Sequence, residues 1–328
     1  MSVHVLKPGL LSSLQDAGRR GYAAIGVGRA GAMDWPAWRL ANALVGNRCD
    51  EAAIECTMLG PTLRFNRASW IALTGAPISA RIDDVEVPPW TACAVPAGSV
   101  LQLGGMSIGC RSYLAVHGGF DVLPVLGSRS SDLHAGLGYE GGRALRSGDV
   151  LPLGSCKRLP ALTSPERPAP LNWGLDPQPW FDFSQTPIEL LRGSHWHQLD
   201  TASQRQLCEQ PLKLSKDSNR TASRLDGQTL RLKVPLELIS EAALPGTIQL
   251  PPSGQPIVLM AEAPVTGGYP RIGQVVAVDL PRLAQRRPGD ALSFREVSLQ
   301  HALSRLAERE QALTRVLAYV AQRLEHPE

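Results

Sequence analysis

Most of the short motifs that announce a chemistry are missing from this chain of 328 residues. There is no G-x-x-x-x-G-K-[S/T], so any nucleotide is handled without a P-loop. There is no G-x-S-x-G, which excludes the nucleophile elbow of the α/β-hydrolases. The six cysteines (Cys49, Cys56, Cys93, Cys110, Cys156, Cys208) form no C-x-x-C pair. They read as reduced, mostly buried small hydrophobes of a cytoplasmic protein, not as a disulfide framework or a metal site. No stretch of roughly 18 consecutive apolar residues occurs, so no membrane-spanning helix is expected. The opening Met1-Ser2-Val3-His4-Val5-Leu6 lacks the basic region and apolar core of a signal peptide. The net charge is +3, and the arginine pairs Arg19-Arg20 and Arg286-Arg287 are isolated, which argues against nucleic acid as a partner.

What is present is ordinary in bulk and particular in rhythm. Hydrophobic residues make up 43% and charged residues 19%, as in a soluble globular protein of about two domains. The 31 glycines and 27 prolines are more than usual and fall between short apolar runs. That pattern of turns predicts a mainly β fold. Strands are expected at Ser69–Thr74, Val85–Val87, Ser99–Leu103 and Arg111–His117, each closed by glycine or proline. They resume at Ile188–Gly193, Leu230–Val234, Thr247–Leu250, Ile257–Met260 and Val275–Val278. One short helix is expected after Asp34, which can cap it. Pro36 suits the first turn, Ala37, Leu40, Ala41 and Leu44 share a face, and Gly46 supplies the stop. Residues 155–185 read as a proline-rich linker, along which Trp173, Trp180 and Phe181 are available to dock. From Ser298 to Leu324 the period changes: Leu299, Leu303, Leu306, Leu313, Leu317, Val320 and Leu324 mark an amphipathic helix of about seven turns. The expected division is 1–154, the linker 155–185, 186–297, and a terminal helix in 298–328.

Several local patterns have competing readings. Gly26-Val27-Gly28-Arg29-Ala30-Gly31 matches G-x-G-x-x-G, but no buried strand precedes it and the helix begins later, so a dinucleotide site is rejected. His195 and His197 on one strand face would form a metal pair with no third ligand near; surface or core histidines are the plainer reading. His117, before Gly118-Gly119, sits at a strand end, where sites and hydrogen-bonded turns both occur. Arg220 and Arg224, four residues apart, suit carboxylate or phosphate, or salt bridges within the fold. Thr266-Gly267-Gly268-Tyr269 offers bare backbone N–H groups to an oxyanion, or makes a simple turn.

An ordered set of motifs carries a resemblance over nearly the whole chain. It begins with Gly9-Leu10-Leu11-Ser12-Ser13-Leu14-Gln15-Asp16-Ala17-Gly18-Arg19 and Gly31-Ala32-Met33-Asp34. It continues through Gly127-Ser128-Arg129-Ser130-Ser131-Asp132, Ser218-Asn219-Arg220, Gly246-Thr247-Ile248-Gln249-Leu250-Pro251-Pro252 and Gly267-Gly268-Tyr269-Pro270. The chain resembles the carboxyltransferase-like family that takes in allophanate hydrolase subunit 2, the carboxyltransferase domain of urea carboxylase and the C-type subunit of 5-oxoprolinase. The resemblance implies two cyclophilin-like β-barrel domains. It implies a partner similar to allophanate hydrolase subunit 1 (the B-type subunit of 5-oxoprolinase) and a third 5-oxoprolinase subunit. The implied reaction is ATP-dependent opening of 5-oxo-L-proline to L-glutamate, with or without Mg. No Met-Lys-Met biotin attachment segment is present, so covalently attached biotin is not expected. Two other roles known in the family are a biotin-dependent carboxyltransferase acting on urea or a similar amide, and a regulatory module antagonising a kinase inhibitor. On the resemblance, Asp16, Arg19, Arg220 and Tyr269 are the candidate catalytic residues. Gln15, His117, Arg224, Gln249, Thr266, Gly267 and Gly268 are the candidates for binding substrate or nucleotide. No metal ligand is assigned. Asn219-Arg220-Thr221-Ala222-Ser223-Arg224-Leu225 departs from the family's Asn-Arg-Met-Gly-x-Arg-Leu, and Val265-Thr266 stands where Thr-Thr is usual, so the residues that shape the pocket differ.

Overall fold

A computed structural model describes residues 2–155, 166–184, 186–236 and 238–325. The expected linker's residues 156–165, with Cys156, and residue 185 lie outside the described residues, as do residues 326–328 of the expected terminal helix. The chain forms two compact units. The first comprises Met1–Gly18, Asp34–Asp182 and Ala312–Glu328; the second comprises Arg19–Met33 and Phe183–Gln311.

The first unit contains β1 (Ser2–Lys7), β2 (Leu11–Gln15), α1 (Trp35–Leu44), β3 (Ala53–Thr57), β4 (Thr62–Phe65), β5 (Ser69–Gly75), β6 (Ile78–Ile82), β7 (Val85–Glu86), β8 (Ala92–Val95), β9 (Val100–Met106), β10 (Arg111–Val116), β11 (Val150–Pro152) and β12 (Ala169–Pro170). They form two antiparallel sheets, ordered β11-β1-β4-β9-β6-β7 and β12-β8-β5-β10-β3-β2. Val3, Val5, Leu63, Phe65 and Leu101 from one sheet share a buried cluster with Leu14, Ile54, Ile71, Leu73 and Leu114 from the other. On β6 the pattern alternates, with Ile78, Ala80 and Ile82 inward and Ser79 and Arg81 outward. Strands β5 and β10 are buried at every position because α1 covers their second face. The Asp34 carboxylate caps α1 by accepting from Ala37 N at 3.2 Å, as its sequence predicted. The described part of the proline-rich stretch is ordered: β12 pairs with β8, and Trp180 and Phe181 are docked.

The second unit contains β13 (Ile188–Arg192), α2 (Thr201–Glu209), β14 (Leu212–Leu214), β15 (Ala222–Asp226), β16 (Glu241–Ala242), β17 (Thr247–Gln249), β18 (Ile257–Leu259), β19 (Thr266–Gly267), β20 (Arg271–Val275), α3 (Leu280–Ala284), β21 (Ala291–Leu292) and β22 (Phe294–Glu296). One eight-stranded sheet runs β21-β14-β15-β18-β17-β20-β13-β22. Its two edge strands are joined in sequence through Ser293, so the sheet is close to a barrel around Ile188, Leu190, Leu225, Ile248, Val258 and Ile272. A separate two-stranded ribbon pairs β16 with β19.

Three sequence expectations need correction. Leu230–Val234 is not a strand. It makes only an isolated antiparallel bridge, Leu232 to Leu199, through Asp200 N to Arg231 O and Lys233 N to Gln198 O, while Leu230 N donates to Gly254 O. Val275–Val278 straddles the end of β20 and the 3-10 turn Ala277–Asp279 that leads into α3. His195 and His197 are not on a strand: His195 precedes a 3-10 turn over Trp196–Gln198. Helix α2 has no apolar period to announce it. It is mostly polar and buries only Ser203 and Leu207, although Asp200 caps it as an ordinary N-cap should.

The terminal helix α4 spans Leu299–Glu325, 27 residues. Only Leu313, Val320 and Leu324 of its apolar stripe are buried, while Leu299 and Leu303 are exposed. Charge holds its first turns instead. The buried Glu189 carboxylate meets Arg295 at 2.5 Å, His301 at 3.1 Å and Arg305. Burial alone would raise the Glu189 pKa, but Arg295, Arg305 and His301 outweigh it and hold the carboxyl at about 2.

Candidate functional site

Each unit carries a polar constellation, and they differ in how fully their groups are used. In the first unit, β2 delivers Gln15 and Asp16 to the loop Gly127–Asp132. The Asp16 carboxylate accepts from Ser128 Oγ at 2.5 Å, Ser130 Oγ at 2.6 Å, Arg129 N at 2.6 Å and Gly18 N at 2.8 Å. Gln15 Nε2 donates to Ser13 Oγ and to Ser131 O, both at 2.9 Å, while its Oε1 is buried and accepts no hydrogen bond among the described residues. His117 Nδ1 donates to Val45 O at 2.7 Å, and the next amide, Gly118 N, donates to Asn47 Oδ1. A network that sequence reasoning missed lies under α1. Tyr113 OH donates to Glu55 Oε2 at 2.7 Å and accepts from Asp34 N at 2.7 Å. Burial, with Glu55 and Asp34 nearby, pushes the Tyr113 phenol well above its ordinary pKa, so it remains a donor.

In the second unit, Arg19 is buried, and its backbone N donates to Arg29 O at 2.7 Å. Arg220 is also buried. Its Nε lies 2.5 Å from Glu262 Oε1 and it donates to Gly31 O at 2.7 Å. Arg224, by contrast, stands on the exposed side of β15. Their four-residue spacing therefore places one guanidinium in the interior and the other in solvent.

The remaining candidates come together on the barrel. Gln249 closes β17, and its cross-strand partner is Arg271 on β20. Thr266 and Gly267 form β19, opposite Ala242 and Glu241 of β16. Gly267 is glycine for a local reason: a Cβ there would lie 2.5 Å from Gln249 Nε2. A Cβ at Gly268 would approach Leu238 O to 3.2 Å. Tyr269 is half-exposed. Arg271 pairs with Glu241 and donates to Ala242 O at 2.9 Å, and its backbone N donates to His195 Nδ1 at 3.2 Å. Burial, reinforced by Arg271, lowers the His195 pKa. Arg271 and Glu241 escaped the sequence reading. Arg271 does follow the Gly267–Pro270 motif directly, but its pairing with Gln249 is a matter of strand register. Among the described residues, no group of three His, Cys, Asp or Glu is placed to hold a metal ion, and no helix is long and apolar enough to cross a membrane.

A barrel with this polar edge, together with a two-sheet unit whose β2 ends in Gln15 beside the Asp16 network, defines a recognisable class. The chain belongs to the family of the carboxyltransferase domain, subdomains A and B, which it matches over residues 25–296. Within that family it is similar to the C-type subunit of 5-oxoprolinase from Escherichia coli, with 42% identity over 91% of this chain and 92% of that protein. It is similar also to the corresponding 5-oxoprolinase subunit from Haemophilus influenzae, with 38% identity over 89% of this chain and 90% of that protein. Among solved structures it resembles the urea carboxylase of Kluyveromyces lactis, with a TM-score of 0.84 and 30% identity. That likeness covers 95% of this chain and 29% of the longer carboxylase chain.

Proposed function

We propose that this chain is the C-type subunit of an ATP-dependent 5-oxoprolinase, a cytoplasmic hydrolase that opens 5-oxo-L-proline to L-glutamate together with a B-type subunit and a third subunit. The observation that carries this reading is the 42% identity with the Escherichia coli protein, which extends over nine-tenths of both chains. In the same reading each half of the chain is one cyclophilin-like barrel domain.

The chemistry asks for particular groups. A lactam carbonyl is a poor electrophile because amide resonance protects it. Transfer of a phosphoryl group from ATP to the amide oxygen releases ADP and makes that oxygen a leaving group. Water then adds to the carbon, the ring C–N bond breaks with the electron pair going to nitrogen, and a second water releases phosphate from the acyl phosphate. The protein must neutralise phosphate charge and donate hydrogen bonds to the oxygen on which charge develops. In the second unit, Gln249, Thr266, Gly267, Gly268 and Tyr269 offer donors and an open backbone, and the exposed Arg224 offers a charge. Arg220 and Arg19 act from the interior by positioning the segment Arg19–Met33. In the first unit, Asp16 positions the Ser128–Ser130 loop, with Gln15 and His117 beside strand ends. ATP is a substrate here, and no covalently attached biotin is involved.

The test is reconstitution of the three subunits and measurement of ADP release with and without 5-oxo-L-proline. Stimulation by the lactam that vanishes when this chain is omitted is the expected result; stimulation that persists without it defeats the reading. The 0.84 TM-score to urea carboxylase favours one second reading, a carboxyltransferase served by a separate biotin carrier. Turnover that avidin abolishes would select it.

A further inference from the structure

Four residues of the second unit close a ring of contacts. Gln249 and Arg271 are cross-strand partners. Arg271 pairs with Glu241, Glu241 is the cross-strand partner of Gly267, and Gly267 abuts the Gln249 carboxamide. Two nitrogen donors of this ring are left over. Gln249 Nε2 and Arg271 Nε are both buried from solvent, and neither has a hydrogen-bond partner among the described residues. Gln249 as a whole is only 4% exposed. Buried donors without acceptors are costly and uncommon in folded proteins. The register is irregular between Ile248 and Gln249, but Ile248 and Ile272 both point into the core, so by alternation their neighbours Gln249 and Arg271 belong to the opposite face.

Charge narrows what they suit. Glu241 already balances the Arg271 guanidinium, so the ring offers donors with little net charge. A carboxylate would meet Glu241 as a second anion, whereas a neutral carbonyl oxygen would not. One terminal nitrogen of Arg271 is held by Glu241 and the other by Ala242 O, which fixes the side chain, while its buried Nε makes no hydrogen bond among the described residues. The geometry points to a subsite for the carbonyl oxygen of a small neutral amide, built from Gln249 Nε2 and Arg271 Nε and bordered by Gly267, where a Cβ would collide with the Gln249 carboxamide. This deepens the proposed function and rests on it for the choice of a lactam. Donors fixed on the amide oxygen also polarise that carbonyl before it reacts.

The test uses the full chain and two probes that share a five-membered ring. 2-Pyrrolidinone has the lactam carbonyl and no carboxylate; L-proline has the carboxylate and no lactam carbonyl. Ligand-observed NMR at roughly 10 mM probe reaches the affinity range expected for a fragment held by a few polar contacts. The expected result is binding of 2-pyrrolidinone and none of L-proline. Gln249→Met and Arg271→Lys should each weaken lactam binding about five- to tenfold, the effect of losing one donor. Gln249→Met should melt at or above the wild-type temperature, since it removes an unsatisfied amide; a merely structural glutamine would instead lose stability. Failure of the wild type to bind 2-pyrrolidinone, equal binding of L-proline, or unchanged binding by both variants overturns the subsite. Lactam binding that follows these residues in a chain dispensable for ADP release would leave the subsite standing and remove the proposed function. The reverse pattern would do the opposite.

Discussion

Asp16 in the first unit and Gln249 in the second are both buried polar residues at the ends of strands, and they are used in opposite ways. Four donors converge on the Asp16 carboxylate. The Gln249 amide has a donor left over, and so does its neighbour Arg271. A satisfied network ties distant segments together and is fully explained by the fold. An unsatisfied one is a cost that the fold does not recover, and a bound group is one way to offset it. Arg220 falls on the Asp16 side of this divide, because Glu262 and Gly31 take up its guanidinium.

Substitutions can sharpen or break the contrast. The largest effect is expected for Arg220→Ala, which leaves Glu262 buried without its cation. Breaking such a pair costs about 3–5 kcal/mol, and thermal unfolding should show it alongside loss of turnover in the reconstituted complex. Should turnover survive intact, the positioning role assigned to Arg220 is wrong. Asp16→Asn comes next. The amide keeps the shape but replaces one acceptor oxygen by a donor facing groups that already donate, for an expected loss of about 2–3 kcal/mol in chemical denaturation.

A pH experiment probes a third satisfied carboxylate. The Glu189 pKa is about 2 in the folded chain against an ordinary 4.5. A depressed carboxyl contributes stability that is present above about 4.5 and is lost as pH falls toward 2. The contribution is on the order of 3 kcal/mol. Acid unfolding of Glu189→Gln should lack that slope, and identical acid profiles would show that the Arg295 and Arg305 pairs carry little. The smallest stability change is expected for Gly267→Ala. Gly267 is not among the glycines with positive φ, and a new methyl there would meet only the terminal amide of the Gln249 side chain. Stability should change by less than about 1 kcal/mol, while binding of 2-pyrrolidinone weakens as it does in Gln249→Met. A large loss of stability with binding intact would erase the distinction drawn between the two units.

Much of the architecture was legible because short-range chemistry dictates it. Asp34, Pro36 and Gly46 bracket α1, since a cap, a first-turn proline and a glycine stop each act within a few residues. Gly- and Pro-bounded apolar runs placed β5, β10, β17 and β18 within a residue or two. Leu230–Val234 has the same look and is no strand, because it meets only the single residue Leu199 before the 198–200 backbone turns into α2, so one bridge forms and no ladder follows. The Gly267-Gly268-Tyr269 motif marked the right neighbourhood by itself. Nothing local, however, says that Arg271 faces Gln249, that Glu241 restrains Arg271, or that Arg220 is consumed by Glu262, which lies 42 residues away.

The sequence by itself determined the mainly β character, the cap and stop of α1, the length of α4 and the family, because these follow from turn chemistry, periodicity and ordered motifs. Only the tertiary structure decided which polar groups are spent and which remain. Whether a buried donor finds an acceptor depends on strand register and on segments far apart in the chain, and a one-residue change of register would turn each of these side chains to the other face.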